Sequence, residues 1–284
     1  MEKRNQDGQK MNKQKITFGS LFAGIGGFDL GLEMAGMKCK WQIEKNNQCQ
    51  DVLRKHWPDV KLYNDITKEN KYAQVELICG GDPCPIRSRA RSNGQSRHPD
   101  LSGYFLSLVG QLRPRWVVRE NVLASDDVDF ECALEILGYR TAIIRSDAAS
   151  ITGQSRQRDF VVGCREVTWP CFSEFISNFE DGKGSYKTRL GTREVVPALT
   201  THRTRYDSRD CYIFDGGLRI LDGDERTAFA GFPKNWLDGF TEASIARMTG
   251  NAVVPQIVEI IGKVIVKLEK VSRRENGGNP LDEE

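Results

Sequence analysis

The chain has 284 residues, 39% hydrophobic and 28% charged, with a net charge of +2. That length suits one large globular domain or two unequal ones, and so small a charge does not by itself point to nucleic acid. No apolar run approaches the roughly 18 residues that cross a bilayer, so no membrane association is expected.

Residues 1–15 are polar and basic without an apolar core, and read as a disordered tail rather than a secretory signal. From Ile16 the sequence alternates strand-like and helix-like segments, the pattern of a parallel α/β sheet. Strands are expected over Ile16–Phe22, Lys38–Glu44, Val75–Cys79, Arg115–Val122, Tyr139–Ile144 and Phe160–Cys164. Helices are expected over Phe28–Ala35, Gln48–His56, Leu101–Leu112 and Phe130–Leu137. After Cys164 the alternation stops: residues 165–217 are rich in Gly, Thr, Arg and aromatics and read as a small second domain or an insertion. Residues 218–244 read as a hinge segment and residues 245–271 as a closing helix interrupted near Val254-Pro255. Residues 272–284 read as a frayed tail.

The chemistry-bearing segments sit where such strands end. Gly80-Gly81-Asp82-Pro83-Cys84-Pro85 follows an apolar strand, and the prolines on either side of Cys84 stiffen its turn. A thiol at the carboxyl edge of a sheet is placed to act as a nucleophile, although a cysteine in a tight turn would look the same. Gly24, Gly26 and Gly27 lie between a strand and a helix, where backbone can approach a ligand closely; a turn needed only for packing also uses glycine. Glu44 lies about 20 residues on, the usual place for a carboxylate that binds ribose hydroxyls. Asp65, followed closely by Thr67, Lys68 and Glu69, reads as a turn or helix cap. Glu120 ends the next strand, and either lies in a site or pairs with Arg119 or another arginine. Arg87, Arg89, Arg91 and Arg97 crowd the segment after Cys84, and Arg203, Arg205 and Arg209 form a second cluster suited to phosphates. The eight cysteines contain no C-x-x-C pair and the three histidines are far apart, so no metal is expected. With no targeting segment, a cytoplasmic protein with reduced thiols is expected.

Taken in order, Phe22 to Gly26, Pro83-Cys84, Glu120-Asn121-Val122, Gln154-Ser155-Arg156-Gln157-Arg158 and Gly250-Asn251-Ala252-Val253 resemble the motifs of the DNA cytosine-5 methyltransferase family. The resemblance runs from about Ile16 to about Lys270. It implies a Rossmann-like α/β sheet of the S-adenosylmethionine-dependent methyltransferase type with a small target-recognition domain. It also implies S-adenosylmethionine as cofactor, held by Phe22, Gly24, Gly26, Gly27, Glu44, Asp65 and Asn251. Cys84 would be the nucleophile and Glu120 the acid at ring nitrogen 3. Arg156 would hold the base's exocyclic oxygen and the catalytic loop, and Arg158 the pocket or a phosphate. Arg158 as an outward residue entering a strand stays open as well. The loop from Ile86 to His98 would close over a base flipped from duplex DNA, and Arg87, Arg89, Arg91 and Arg97 would contact the DNA backbone. His202, Arg203 and Arg205 would read the target from 165–217. That segment is short for a target-recognition domain, and Cys171-Phe172-Ser173 is a near-match to an element of the tRNA-methylating branch. A tRNA substrate and a silent DNA-binding regulator are the alternatives; the regulator would be expected to lack Cys84 or Glu120. A monomer from a bacterium or phage, associated with the nucleoid, is expected, and a cognate restriction enzyme as partner is left open.

Overall fold

The computed structural model describes residues 15–68, 71–83, 101–123, 126–166, 199, 211–214 and 217–275. The strands of its main sheet are β1 (Thr17–Leu21), β2 (Lys38–Ile43), β3 (Lys61–Tyr63), β4 (Leu77–Gly80), β5 (Trp116–Asn121), β6 (Arg140–Asp147) and β7 (Gln157–Cys164). They lie in the order β3-β2-β1-β4-β5-β7-β6. Strands β1 to β5 pair in parallel, and β7 runs antiparallel to both β5 and β6. The sheet is therefore mixed, a correction to the all-parallel expectation. The cause is local. Between Asp147 and Gln157 the chain makes only the short helix α5 (Ala149–Thr152) and a turn, too little for a parallel crossover.

Alternate residues of the central strands face opposite helical layers, so the sheet is buried on both sides. Phe18, Leu77, Cys79, Trp116, Val118, Phe160 and Val162 share a core with α1 (Gly27–Met34) and α8 (Pro255–Glu275). Ile78, Val117 and Val161 face α3 (Ser102–Leu112) and α4 (Asp126–Ile136) through Phe105, Leu108, Val109, Phe130 and Leu134. Helices α1 and α8 meet closely. A Cβ at Gly262 would lie 2.7 Å from that of Ala35, and one at Gly31 would overlap the Pro255 carbonyl and Val258. The tail expected from residue 272 begins later, because α8 continues to Glu275 and Ser272, fully buried, accepts a bond from Arg115 at 2.8 Å.

A third cluster joins α2 (Asn47–His56) to the carboxyl-terminal part of the chain. Val52, Leu53 and Trp57 pack with Leu221, Phe232, Trp236, Leu237 and residues of α7 (Glu242–Asn251). Between them stand the hairpin β8 (Cys211–Phe214) with β9 (Gly217–Ile220), and α6 (Gly223–Phe229), whose amino end carries a reciprocal Asp222–Glu225 cap. The interrupted closing helix is two helices, α7 and α8, separated at Ala252–Val254. None of the described helices is long and apolar enough to cross a membrane.

Candidate active site

The ends of β1, β2 and β3 form one half of the site. After β1, Phe22 and Gly24 adopt positive φ (51° and 56°), and Gly26 (86°) caps α1. The three glycines of this loop differ in what they face. A side chain on Gly26 would overlap the Trp57 ring, and one on Gly27 would overlap the carbonyl of Val253, so both positions serve packing. Among the described residues, Gly24 faces only the Phe22 carbonyl, at 3.9 Å. The loop is braced from behind: Trp236 donates its indole N–H to the Ile25 carbonyl at 3.0 Å and stacks on His56 at 3.6 Å between centroids.

Glu44 follows β2. One carboxylate oxygen accepts from the Gly24 N–H at 2.8 Å and the other from the Asn46 N–H at 2.7 Å. Burial raises its pKa, and these bonds oppose the shift. Gln50 ties the ends of β2 and β3 together, donating to the Glu44 carbonyl at 2.6 Å and to Asn64 at 3.2 Å. Asp65, just past β3, accepts from the backbone and hydroxyl of Thr67 at 3.0 and 2.8 Å and pairs with Lys45 at 3.1 Å. Desolvation raises its pKa, but those partners together outweigh it and hold the carboxyl below its ordinary value. Asp65 thus caps a turn just past the end of β3. Asn251, exposed, ends α7, and Ala252–Val254 are non-helical before Pro255 begins α8.

The ends of β4, β5 and β7 form the other half. Glu120 is buried on β5, and Gly81 lies so close that a Cβ there would come 2.8 Å from Glu120 Oε2. Arg158 sets its Nε 2.8 Å from Glu120 Oε1. Arg156, by contrast, directs both terminal nitrogens to the Gly250 carbonyl at 3.1 Å each. Arg158 is thus the partner of Glu120, and Arg156 joins the sheet to α7. The reason is position. Arg156 precedes β7 and turns inward, whereas Arg158 lies on the strand opposite the end of β5. Burial, then the positive charge of Arg158, lowers the Arg156 pKa to about 9, which leaves it charged at neutral pH. Nor does Glu120 pair with Arg119, whose guanidinium binds Asp82 and Asp127 instead. The sequence alone does not single out Asp82 and Asp127, which meet Arg119 only once β4, β5 and α4 are packed together. Cys84, Arg87, Arg89, Arg91, Arg97, His202, Arg203, Arg205 and Arg209 lie outside the described residues, as does nearly all of 165–217.

A mixed sheet whose strand ends carry a glycine loop, a buried glutamate bonded to that loop and a second glutamate paired with an arginine invites comparison with known enzymes. The profile of the C-5 cytosine-specific DNA methylase family matches residues 16–200 and 172–267. The chain belongs to that family. It is a DNA cytosine-5 methyltransferase by that membership, and the family and fold imply use of S-adenosylmethionine. The chain is similar to the Type II methyltransferase M.HindV of Haemophilus influenzae, 24% identical over 90% of this chain and 98% of that one. It is also similar to M.HpaII of Haemophilus parainfluenzae, 23% identical over 90% of each. Among solved structures, an E. coli prophage protein described as a DNA modification methyltransferase superposes with a TM-score of 0.67 at 18% identity, covering 90% of this chain and all of the other. DNMT2 of Spodoptera frugiperda also gives 0.67, at 16% identity, with the same coverage. These likenesses bear on the fold, which is that of the S-adenosylmethionine-dependent methyltransferases.

Proposed function

We propose that the protein methylates carbon 5 of a cytosine flipped out of duplex DNA, with Cys84 as nucleophile and Glu120 as the acid at ring nitrogen 3. The observation that carries this reading is the pair of buried Glu120 with partly buried Arg158, set against Gly81 at the exit of the strand that leads to Cys84. Carbon 5 of cytosine is a poor nucleophile. Addition of the Cys84 thiolate to carbon 6 forms a C–S bond and moves the ring's electrons toward nitrogen 3. Glu120 shares a proton there, which relieves the charge and makes carbon 5 electron-rich. Loss of the carbon-5 proton after methylation restores the double bond and expels the thiolate.

S-adenosylmethionine supplies the methyl group on a sulfonium that such a carbon can accept. The residues present fit it: Gly24 offers bare backbone that faces only the Phe22 carbonyl among the described residues, and Glu44 is a fixed carboxylate beside it. Phe22, Asp65 and Asn251 are assigned to the same half of the site. Gly26 and Gly27 contribute by letting the loop pack on Trp57 and Val253. Arg87, Arg89, Arg91 and Arg97 are assigned to DNA phosphates, and His202, Arg203 and Arg205 to the target sequence. The relatives are named Type II methyltransferases, which supports a modification role beside a restriction enzyme.

Fluorine at carbon 5 cannot leave as a cation, so duplex DNA bearing 5-fluorocytosine is expected to trap the protein covalently when S-adenosylmethionine is present. The adduct should map to Cys84 and disappear in Cys84→Ser, whose hydroxyl ionises far less than a thiol near neutral pH. An undiminished adduct in Cys84→Ser overturns the mechanism. Methyl incorporation into tRNA and not duplex DNA would overturn the substrate.

A further inference from the structure

Arg119, next to Glu120 on β5, is 1% exposed and holds two carboxylates that are themselves buried, Asp82 and Asp127. Its Nε and one terminal nitrogen grip Asp82 in a fork, at 2.5 and 3.0 Å, and the other terminal nitrogen meets Asp127 at 3.1 Å. Its guanidinium also lies 4.5 Å from the centre of the Phe130 ring. A buried ion cluster of this kind stabilises a fold little more than apolar side chains of similar volume would. What it imposes is a single geometry, because a planar fork bound at both nitrogens cannot slide.

That geometry joins two parts of the proposed site. Gly80 of β4 lies beside Arg119 in the parallel ladder, and the chain then passes through Gly81 and Asp82 toward Cys84, two residues beyond. Gly81 backs onto Glu120 itself. Asp127, on the first turn of α4, anchors the fork from the opposite side.

We infer that Arg119 is a positioning residue that, through its fork to Asp82 and its anchor at Asp127, sets the exit of β4, two residues before Cys84 in the chain, against Glu120, and that the rate of methyl transfer depends on that setting. This rests on the cytosine reading above. Misplacing a reacting group by about 1 Å costs on the order of 100-fold in rate. Asp82→Asn keeps the shape of the side chain and replaces one acceptor of the fork with a donor, so it disturbs the contact with little change in volume.

The test compares the wild type with Asp82→Asn and Arg119→Lys, each checked for folding by thermal melting. In Asp82→Asn, kcat for methyl transfer to duplex DNA is expected to fall by roughly 100-fold. Affinity for S-adenosylmethionine should stay within about twofold, because the loss falls on the reacting step and not on cofactor binding. Arg119→Lys keeps the charge without the fork and should not restore the rate. A folded Asp82→Asn enzyme with wild-type kcat overturns the inference, as does full activity in Arg119→Lys. An equal loss in kcat and cofactor affinity also overturns it, since that would mark general damage. A second measurement is independent of turnover: the rate at which iodoacetamide alkylates Cys84, followed by peptide mass spectrometry. It should differ between wild type and Asp82→Asn, and an unchanged rate counts against the tether. A wild type that methylates no cytosine would sink the cytosine reading alone, and the alkylation rates would then decide the tether.

Discussion

Arg158 closes on Glu120 from the neighbouring antiparallel strand, Nε to Oε1 at 2.8 Å, while Arg156, two residues earlier, turns the other way to the carbonyl of Gly250. One arginine serves the reacting half of the site and the other holds the chain's two halves together, so their variants should fail differently. Arg158→Met removes the partner that orients Glu120 and should lower kcat roughly 100-fold with cofactor affinity little changed. Arg156→Met strips a charge-assisted bond from a buried carbonyl and should lower unfolding stability by about 1–3 kcal/mol. Urea unfolding and steady-state methylation on both variants separate the two; matching profiles would refute the division.

The glycine loop makes a similar distinction. Gly26→Ala and Gly27→Ala drive a methyl into the Trp57 ring and the Val253 carbonyl, overpacking that typically costs about 1–3 kcal/mol. Among the described residues, a methyl on Gly24 would meet only the Phe22 carbonyl, at 3.9 Å, and its cost in stability is the left-handed backbone, roughly 1–2 kcal/mol. That methyl would project where backbone is proposed to meet the ligand. Calorimetry should therefore show a larger loss of S-adenosylmethionine affinity in Gly24→Ala than in either neighbour that still folds. Equal affinities across the three would remove Gly24 from the pocket.

Periodicity was sufficient to find most strands of the sheet because each is buried on both faces or bounded by a clear helix. It missed β3, three partly exposed residues at the sheet edge with little apolar alternation. It also missed the reversal of β7, since strand direction follows from connection length rather than from the strand's own residues. At the site, Glu44 and Glu120 were legible because strand ends are where such acids act. The Arg119 cluster was not: Asp82 lies 37 residues away, and the two meet only once β4 and β5 are adjacent. Likewise, nothing in Gln154–Arg158 reveals which arginine turns inward, because Arg156 stands before the strand and escapes its two-residue alternation.

Glu44 bonds to the loop that it is proposed to help form. Glu44→Ala should weaken S-adenosylmethionine binding by about 1–3 kcal/mol, the scale of a lost charged hydrogen bond. It also leaves the N–H groups of Gly24 and Asn46 without their acceptor, so stability should fall with it. Glu44→Gln retains an acceptor for one of those N–H groups and should recover part of the stability but less of the affinity. Cofactor titration calorimetry beside thermal melting of both variants tests this; unaltered affinity in Glu44→Ala would exclude the residue from the pocket.

The last expectation concerns Asp29, which is fully buried beneath the glycine loop on the first turn of α1. Its carboxyl accepts from Ser20 at 3.0 Å, Gln42 at 2.9 Å and the Cys39 thiol at 3.4 Å. Burial outweighs these bonds and lifts its pKa from 3.8 to about 6. Between those values the folded protein keeps a proton that the unfolded chain has released. Stability therefore declines as pH rises from about 4 to about 6, and the protein folds above that range against the cost of a buried charge. A shift of this size corresponds to about 3 kcal/mol. Asp29→Asn has no charge to bury, and its stability relative to the wild type should improve by an amount approaching that figure between pH 4 and pH 7. The Cys39 and Cys79 thiols nearby do not compete in this window, because burial pushes both above their ordinary range. Urea unfolding of both proteins at several pH values measures the difference directly. If the gap between variant and wild type stays constant across the window, Asp29 keeps an ordinary carboxylate pKa and this account of the core beneath the loop is wrong.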